Sequence, residues 1–268
     1  MMETVSAKDR KKALDFAVSL AQNVGDRIAK NAGQRIRVSY KSEVDLVTQF
    51  DRQAQNLIVN AMLKEYPGYG VLSEEDMDTG AGHPVRWIVD PLDGTTNFAH
   101  GLPIWAISIA LEIEKEIVLG VVYDPNRKEI FTAMKNNGAR LNGRKISVSG
   151  TRKLGHSLLV TGFPYDIRRT TKNNLRQFGE FAVRARAVRR LGSAALDLCY
   201  TACGRFDGYW ELKLSPWDQA AGSLILREAG GRITDFAGRN FSVYGDEVLG
   251  TNGLIHRQMM HILKRLRV

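Results

Sequence analysis

The stretch WIVDPLDGTTNF, residues 87–98, runs an apolar segment straight into charge. Asp90 and Asp93 stand three apart with Pro91 between them, and Gly94, Thr95 and Thr96 follow at once. Trp87, Ile88 and Val89 read as a strand, and the residues after them as a tight turn carrying two negative charges. Two carboxylates crowded at one turn repel each other unless a cation joins them. Pro91 fixes the turn, so both side chains converge and the Leu92 carbonyl points at the same spot. Carboxylates, a carbonyl and water are the ligand set of a hard cation, Mg²⁺ above all. Gly94, Thr95 and Thr96 add backbone N–H groups and hydroxyls, which suit a phosphate. Taken alone the pattern D-x-x-D-G-T is a weak signal, because Asp-Pro turns in surface loops produce it too.

Three other stretches strengthen it. VLSEED (71–76) ends a second strand in acid, with Glu74 and Glu75. SPWDQAAG (215–222) puts Asp218 at a helix start, flanked by small residues that allow close approach. RRLGSAALD (189–197) puts Gly192 and Ser193 at a strand-to-helix junction. Strand ends and helix N-termini are where phosphate and metal sites are built.

Around these motifs the chain alternates strands and helices. Residues 6–30 read as a helix capped by Ser6, with Ala13, Phe16, Ala17, Leu20, Val24 and Ile28 on one face. Residues 51–66 form a second helix ending at Pro67-Gly68, and Thr48 with Asp51 has the pattern of a capping box. Short strands follow (YGVLS, RWIV, WAISIALE, IVLGVVYD, EIFTAM), separated by turn pairs such as Asp124-Pro125 and Asn142-Gly143. They suggest an antiparallel or mixed sheet. Beyond about residue 150 strands alternate with helices at 173–185, 193–203, 218–229 and from 254, which suggests an α/β layer. The expected organisation is an N-terminal α+β half, 1–150, carrying most metal ligands, and a C-terminal α/β half, 151–268, completing the site within one compact unit.

Composition narrows the function classes. The chain has 268 residues, 44% hydrophobic and 25% charged, ordinary for a water-soluble globular protein. No apolar run reaches membrane-span length, and the N-terminus does not read as a secretion signal. Cys199 and Cys203 lie four apart in a helical stretch and read as small hydrophobes on one face. A reducing cytoplasm fits this. The net charge of +9 is uneven: residues 1–150 hold 19 basic and 19 acidic residues, and residues 151–268 hold 19 and 10. Within 166–190 there are eight basic residues and two acidic ones. That segment reads as a solvated basic face, a subunit contact, or a surface for an anionic partner.

WIVDPLDGTTNF, SEED, GSAALDLCYTACGRFDGYWE and WDQAAGSLILREAGG together resemble the inositol monophosphatase family of Mg²⁺-dependent, lithium-sensitive phosphatases. The likeness spans nearly the whole chain in the family's order and spacing, and PWD and GSAALDL are similar to bacterial members. The resemblance implies an α/β (mixed α+β) class, a layered α-β-α-β-α sandwich and a homodimer. The periodicity itself supports only mixed α and β.

The resemblance also implies roles. Glu74, Asp90 and the Leu92 carbonyl would hold a first Mg²⁺. Asp90, Asp93 and Asp218 would hold a second, and Glu74 a third through waters, giving two or three Mg²⁺ per site. Thr95, hydrogen-bonded by Asp51, would orient an attacking water, so Glu74, Thr95 and Asp51 are the catalytic set. This is metal-assisted phosphoryl transfer to water. No P-loop or Cys-centred phosphatase loop is present, so no covalent phosphoenzyme is expected. Leu92, Asp93, Gly94, Thr95 and Asp218 would face the phosphate. Gly192, Ser193 and Ala194 would line the polyol side, Glu211 would bind ring hydroxyls, and Arg189 matches a basic position nearby. Lys213 stands where relatives have glycine, and Lys41 lies in a segment matching a metal-sensitive loop. None of the five histidines has ligand spacing, and His100 is expected to be structural. Inositol 1-phosphate is the expected substrate, with fructose 1,6-bisphosphate or another sugar phosphate as alternative. An RNA-associated binding role for the basic half is the alternative of a different class; nucleic acid is otherwise not an expected partner, nor is a membrane.

Overall fold

Ser6 accepts a hydrogen bond from the Asp9 amide and starts α1, Ala7–Ala29, whose Ala13, Ala17, Ala21, Val24 and Ile28 are buried. This computed structural model describes residues 6–31, 38–40, 46–75, 77–80 and 82–266. Lys41, and Asp76 of the SEED motif, lie outside the described residues. Strands β1 (Val38–Tyr40) and β2 (Leu46–Thr48) pair antiparallel and lead into α2, Gln49–Glu65. Thr48 and Asp51 form the expected capping box, and the helix begins two residues earlier than the apolar pattern alone indicates.

The large sheet comprises β3 (Gly70–Ser73), β4 (Met77–Thr79), β5 (Val85–Asp93), β6 (Ala106–Ile113), β7 (Glu116–Asp124), β8 (Glu129–Met134), β9 (Ala139–Leu141) and β10 (Arg144–Lys145), with the short helix α3 (Thr95–Ala99) following β5. Its order is β10-β9-β8-β7-β6-β5-β3-β4, and β3 runs parallel to β5 while the remaining pairs are antiparallel, so the sheet is mixed. Asn142 and Gly143, with φ of 49° and 78°, make the β9–β10 turn, where positive φ at both central residues matches strand twist.

A second sheet follows: β11 (Leu158–Thr161), then α4 (Leu175–Ala182), β12 (Ala187–Arg189), α5 (Ala194–Ala202), β13 (Gly208–Leu212), α6 (Pro216–Glu228), β14 (Arg232–Thr234), β15 (Glu247–Thr251) and α7 (His256–Arg265). Its order is β12-β11-β13-β15-β14, parallel on the β12 side and antiparallel on the β14 side. Helix α4 is shorter than the expected 173–185: Asn174 takes a left-handed conformation just before its start, and the helix ends at Ala182 with Val183 as its cap.

Three apolar cores stack these elements into five layers. One joins α1 and α2 to the outer face of the large sheet through Trp87, Val89 and Leu92. The central one packs α5 and α6 between the sheets, and includes Ile88, Leu198 and Tyr209. The third packs α4 and α7 on the far face of the second sheet, around Phe181, Trp210 and Met259. The layered α-β-α-β-α sandwich implied by the resemblance is therefore the observed fold. Helix α6 fits the central layer because its motif is small: a Cβ on Gly222 would stand 2.7 Å from Leu198 Cβ, and one on Gly120 of β7 would stand 2.7 Å from the Ala221 carbonyl oxygen. Among the described residues no helix is long and apolar enough to cross a membrane.

The opening motif folds differently from the tight turn expected. Strand β5 continues through it to Asp93, with a bulge: Asp90 pairs with Ser108 and Asp93 with Ala106, so three steps on β5 match two on β6. Residues three apart on a regular strand face opposite sides. The extra residue of a bulge restores their parity. Asp90 and Asp93 thus both face the central helical layer, as Ile88 does, while Leu92 is buried on the other side.

Candidate active site

A cavity of about 360 Å³ opens where the end of β5, α3, the N-termini of α5 and α6, and the end of β13 meet. One carboxylate oxygen from each of Asp90, Asp93 and Asp218 lies within 4.8 Å of the others. Asp90 and Asp93 are buried in the bulge. Asp218 arrives from the first turn of α6, where its Oδ2 accepts the Ser215 amide at 2.7 Å in a second capping box and Pro216 occupies the first helical position. Asp93 also ties the two halves together: its Oδ2 accepts the Ser193 hydroxyl and the Ala195 amide, the latter at 2.8 Å, at the start of α5. The small residues of GSAA let that carboxylate reach the helix end.

Burial disfavours the charged form of all three carboxyls. Burial, then repulsion from Glu74, Asp93 and Asp218, pushes Asp90 well above the usual carboxylate range. Burial, then Asp93 and Glu74, does the same to Asp218. Burial raises Asp93 to about 6 against its hydrogen bonds from Ser193 and the α5 amides. Among the described residues no Lys or Arg pairs with any of the three. Converging carboxylate oxygens without a basic partner, from two buried aspartates and the half-buried Asp218, fit a divalent cation with hard oxygen preference. Glu74, half-buried at the end of β3, lines the same cavity beside them.

Next to the carboxylates, Thr95 Oγ1 donates to Asp51 Oδ1 at 2.7 Å and lies 3.1 Å from the Leu92 carbonyl oxygen. Asp51 is buried, and its other oxygen accepts the Thr48 amide at 2.8 Å and the Thr48 hydroxyl. The capping residue of α2 and the partner of Thr95 are one side chain, and burial raises its pKa. Gly94, with φ of 100°, turns the chain from β5 into α3, and a Cβ there would stand 2.9 Å from the Ile104 carbonyl oxygen. His100 is exposed at the end of α3 and does not line the cavity.

Glu211, at the end of β13, lines the same cavity, is buried, and accepts the Tyr209 hydroxyl at 2.8 Å. Burial lifts its pKa to about 7. Gly192, Ser193 and Ala194 line the cavity, and Arg189 does not. Arg189 lies exposed at the end of β12, and the next residue, Arg190, lines the cavity instead. Side chains on an extended chain alternate in direction, so a shift of one residue exchanges inside for outside.

Asp197 and Gly162 carry no site role in the sequence reading, and both belong here. Asp197 is buried in α5, lines the cavity, and its Oδ1 has no hydrogen-bond partner. An acid inside the apolar run SAALDLCYTA was the available signal. Gly162 follows β11, and no local pattern marks it. Cys199 and Cys203 are free thiols in and after α5.

The model of the inositol monophosphatase family matches residues 9–267. The chain belongs to the inositol monophosphatase family. A Mesorhizobium japonicum protein named inositol-1-monophosphatase is 42% identical over 96% of this chain and 97% of its own length. An Escherichia coli protein named Nus factor SuhB is 40% identical over 94% of this chain and 96% of its own. Among solved structures, an inositol monophosphatase from Anabaena superposes with a TM-score of 0.88 at 38% identity, covering 96% of this chain and 97% of that one. The suhB protein of Bartonella henselae does so at 0.89 and 39%, covering 95% and 99%. Family and relatives mark the chain as a phosphatase of a metal-dependent family.

Proposed function

We propose that this protein is a cytoplasmic, lithium-sensitive, Mg²⁺-dependent phosphomonoesterase that hydrolyses inositol 1-phosphate to inositol and phosphate. The observation that carries the reading is the convergence of Asp90, Asp93 and Asp218 beside the Thr95–Asp51 pair, with Glu211 lining the same cavity. Asp90, Asp93, Asp218, Glu74 and the Leu92 carbonyl would hold two or three Mg²⁺. Bound there, Mg²⁺ supplies charge neutralisation at phosphorus and a more acidic water. Asp51 accepts a hydrogen bond from the Thr95 hydroxyl, which leaves the Thr95 oxygen lone pairs to accept from the attacking water and aim it. Gly94 and Thr95 bring backbone against the phosphate. Glu211 accepts ring hydroxyls, with Gly192, Ser193 and Ala194 flanking the ring. The chain is expected to act as a homodimer.

The test is phosphate release from a panel of phosphomonoesters, including inositol 1-phosphate and fructose 1,6-bisphosphate, with Mg²⁺ and with chelator. Inositol 1-phosphate should rank first or close to it, activity should vanish with chelator, and Li⁺ should inhibit. Metal-independent hydrolysis would refute the reading. A second reading, association with RNA, has its own support: Arg168, Arg169, Arg176, Arg184, Arg186 and Arg189 are all exposed, and relatives are named Nus factor SuhB. It requires RNA binding that weakens steeply with salt, because counterion release drives such binding. Fluorescence anisotropy showing no binding at low salt removes it.

A further inference from the structure

Glu74 stands in the turn just beyond Ser73, the last paired residue of β3. It lines the cavity, and its charge repels Asp90 and Asp218. Its amide reaches the Val89 carbonyl at 3.3 Å, longer than most N–H···O bonds. Shorter bonds hold the residues on either side of it. Gln55 Oε1 accepts the Ser73 hydroxyl at 2.7 Å and the Glu75 amide at 3.0 Å. Gln55 Nε2 donates to the Glu75 carbonyl at 2.6 Å. One side chain thus clamps the chain before and after Glu74. Holding the N–H and the C=O of one residue takes an acceptor and a donor on the same group, which a side-chain amide supplies. Gln55 and Ser73 are both buried, so water does not compete for these bonds.

The place of Gln55 follows from the start of its helix. The Thr48–Asp51 capping box fixes the first turn of α2, and Gln55 comes four residues after Asp51, on the same helical face. Asp51 reaches Thr95, and Gln55 reaches the segment carrying Glu74. Adjacent turns of one helix therefore support two parts of the cavity lining.

We propose that Gln55 is a positioning residue, which holds Glu74 for metal binding by clamping Ser73 and Glu75 from α2. This role rests on the Mg²⁺ reading of the site, and it gives Gln55 no contact with metal or substrate. Residues that orient metal ligands commonly carry about 10–100-fold in metal affinity.

The experiment is calorimetric titration of Mg²⁺ into metal-free wild type, Gln55→Met, Gln55→Asn, Gln55→Glu, Ser73→Ala, Glu74→Gln and the Gln55→Met/Glu74→Gln double variant, each with a thermal melt. Methionine keeps the length and removes all three bonds, so the Mg²⁺ Kd should rise ~10-fold or more. Gln55→Asn, one methylene too short, should do the same with the amide intact, and it decides the matter if the methionine variant does not fold. Gln55→Glu keeps an acceptor for Ser73 and the Glu75 amide and should bind Mg²⁺ nearly as wild type does. Ser73→Ala loses a buried hydrogen bond but leaves Glu75 clamped, so it should melt lower with Kd almost unchanged. On the Glu74→Gln background, Gln55→Met should add little, because a residue acting through Glu74 has no separate effect. In phosphate release, Gln55→Met should need more Mg²⁺ for half-maximal rate and keep its KM for inositol 1-phosphate at saturating Mg²⁺. A wild type that takes no Mg²⁺ refutes the metal reading and this role with it. If wild type binds Mg²⁺ and the Gln55 variants bind it equally well, or if the loss adds in full to that of Glu74→Gln, the role of Gln55 alone is overturned.

Discussion

The Glu211 carboxylate rests where a side chain on Gly162 would have to be: a Cβ built there stands 2.0 Å from Glu211 Oε1. The bare backbone at the end of β11 therefore sets the position of the residue assigned to the ring hydroxyls. Gly162→Ala should push Glu211 off its Tyr209 hydrogen bond and raise KM for inositol 1-phosphate. Glu211→Gln should raise that KM more than KM for an aryl phosphate without a polyol. The loss corresponds to a charge-assisted hydrogen bond, roughly 1.5–3 kcal/mol. Equal effects on both substrates would give Glu211 a structural role.

Asp93 offers a test that separates chemistry from folding. Asp93→Asn keeps the shape and leaves an oxygen for the Ser193 and Ala195 donors. It also removes a charge that repels Asp90 and Asp218. Without Mg²⁺ the variant should melt no lower than wild type. Mg²⁺ should raise the melting temperature of wild type more, because binding to the folded state alone stabilises it. Turnover should fall by orders of magnitude, since the lost charge acts in the transition state. Near-normal turnover in a well-folded variant would refute the metal assignment.

Thr95 is expected to act through its hydroxyl alone. Thr95→Val keeps the bulk and should lower kcat by roughly 10²–10⁴ with little change in KM, as for loss of a group positioning a proton transfer. Thr95→Ser should retain most of the rate, because serine can still donate to Asp51. A serine variant as poor as the valine variant would point to packing by the methyl group. Steady-state kinetics on both variants decide it.

His256 gives a pH signature of stability remote from the site. It is buried at the start of α7 between Thr234 and Thr251, whose hydroxyls lie 3.0 and 2.9 Å from its two ring nitrogens. Burial, with Arg232 nearby, lowers its pKa from 6.5 to about 4. The folded state therefore resists a proton that the unfolded chain accepts. The contribution is fully present above pH 6.5 and is lost as pH falls toward 4. It amounts to about 3 kcal/mol by linkage. Denaturant titrations from pH 7 to 4 should show a shallower loss in His256→Gln than in wild type. Parallel curves would mean that the imidazole titrates normally.

Much of this was legible in the chain. Ser6, Thr48–Asp51 and Asp218 mark helix starts by local hydrogen bonding, which depends on residues three apart and little else. The acidic motifs named the residues that converge, because each sits at a strand end or helix start that its own neighbours define. The small residues of WDQAAG announced close packing, realised at Gly120, Ala221 and Gly222.

What tertiary structure alone decided concerns direction and burial. Alternation on β5 would send Asp90 and Asp93 to opposite faces. Only the pairing with β6 reveals the bulge that turns both toward α5 and α6. One residue of phase at the end of β12 exchanged Arg189 for Arg190 in the cavity wall. Glu211 looks like an ordinary surface acid until β11 and Gly162 close over it, and Lys213 shows its left-handed backbone only in the fold. Periodicity and capping are written within a few residues of sequence. Strand register, and which wall a carboxylate faces, depend on partners up to a hundred or more residues away, and no local pattern encodes them.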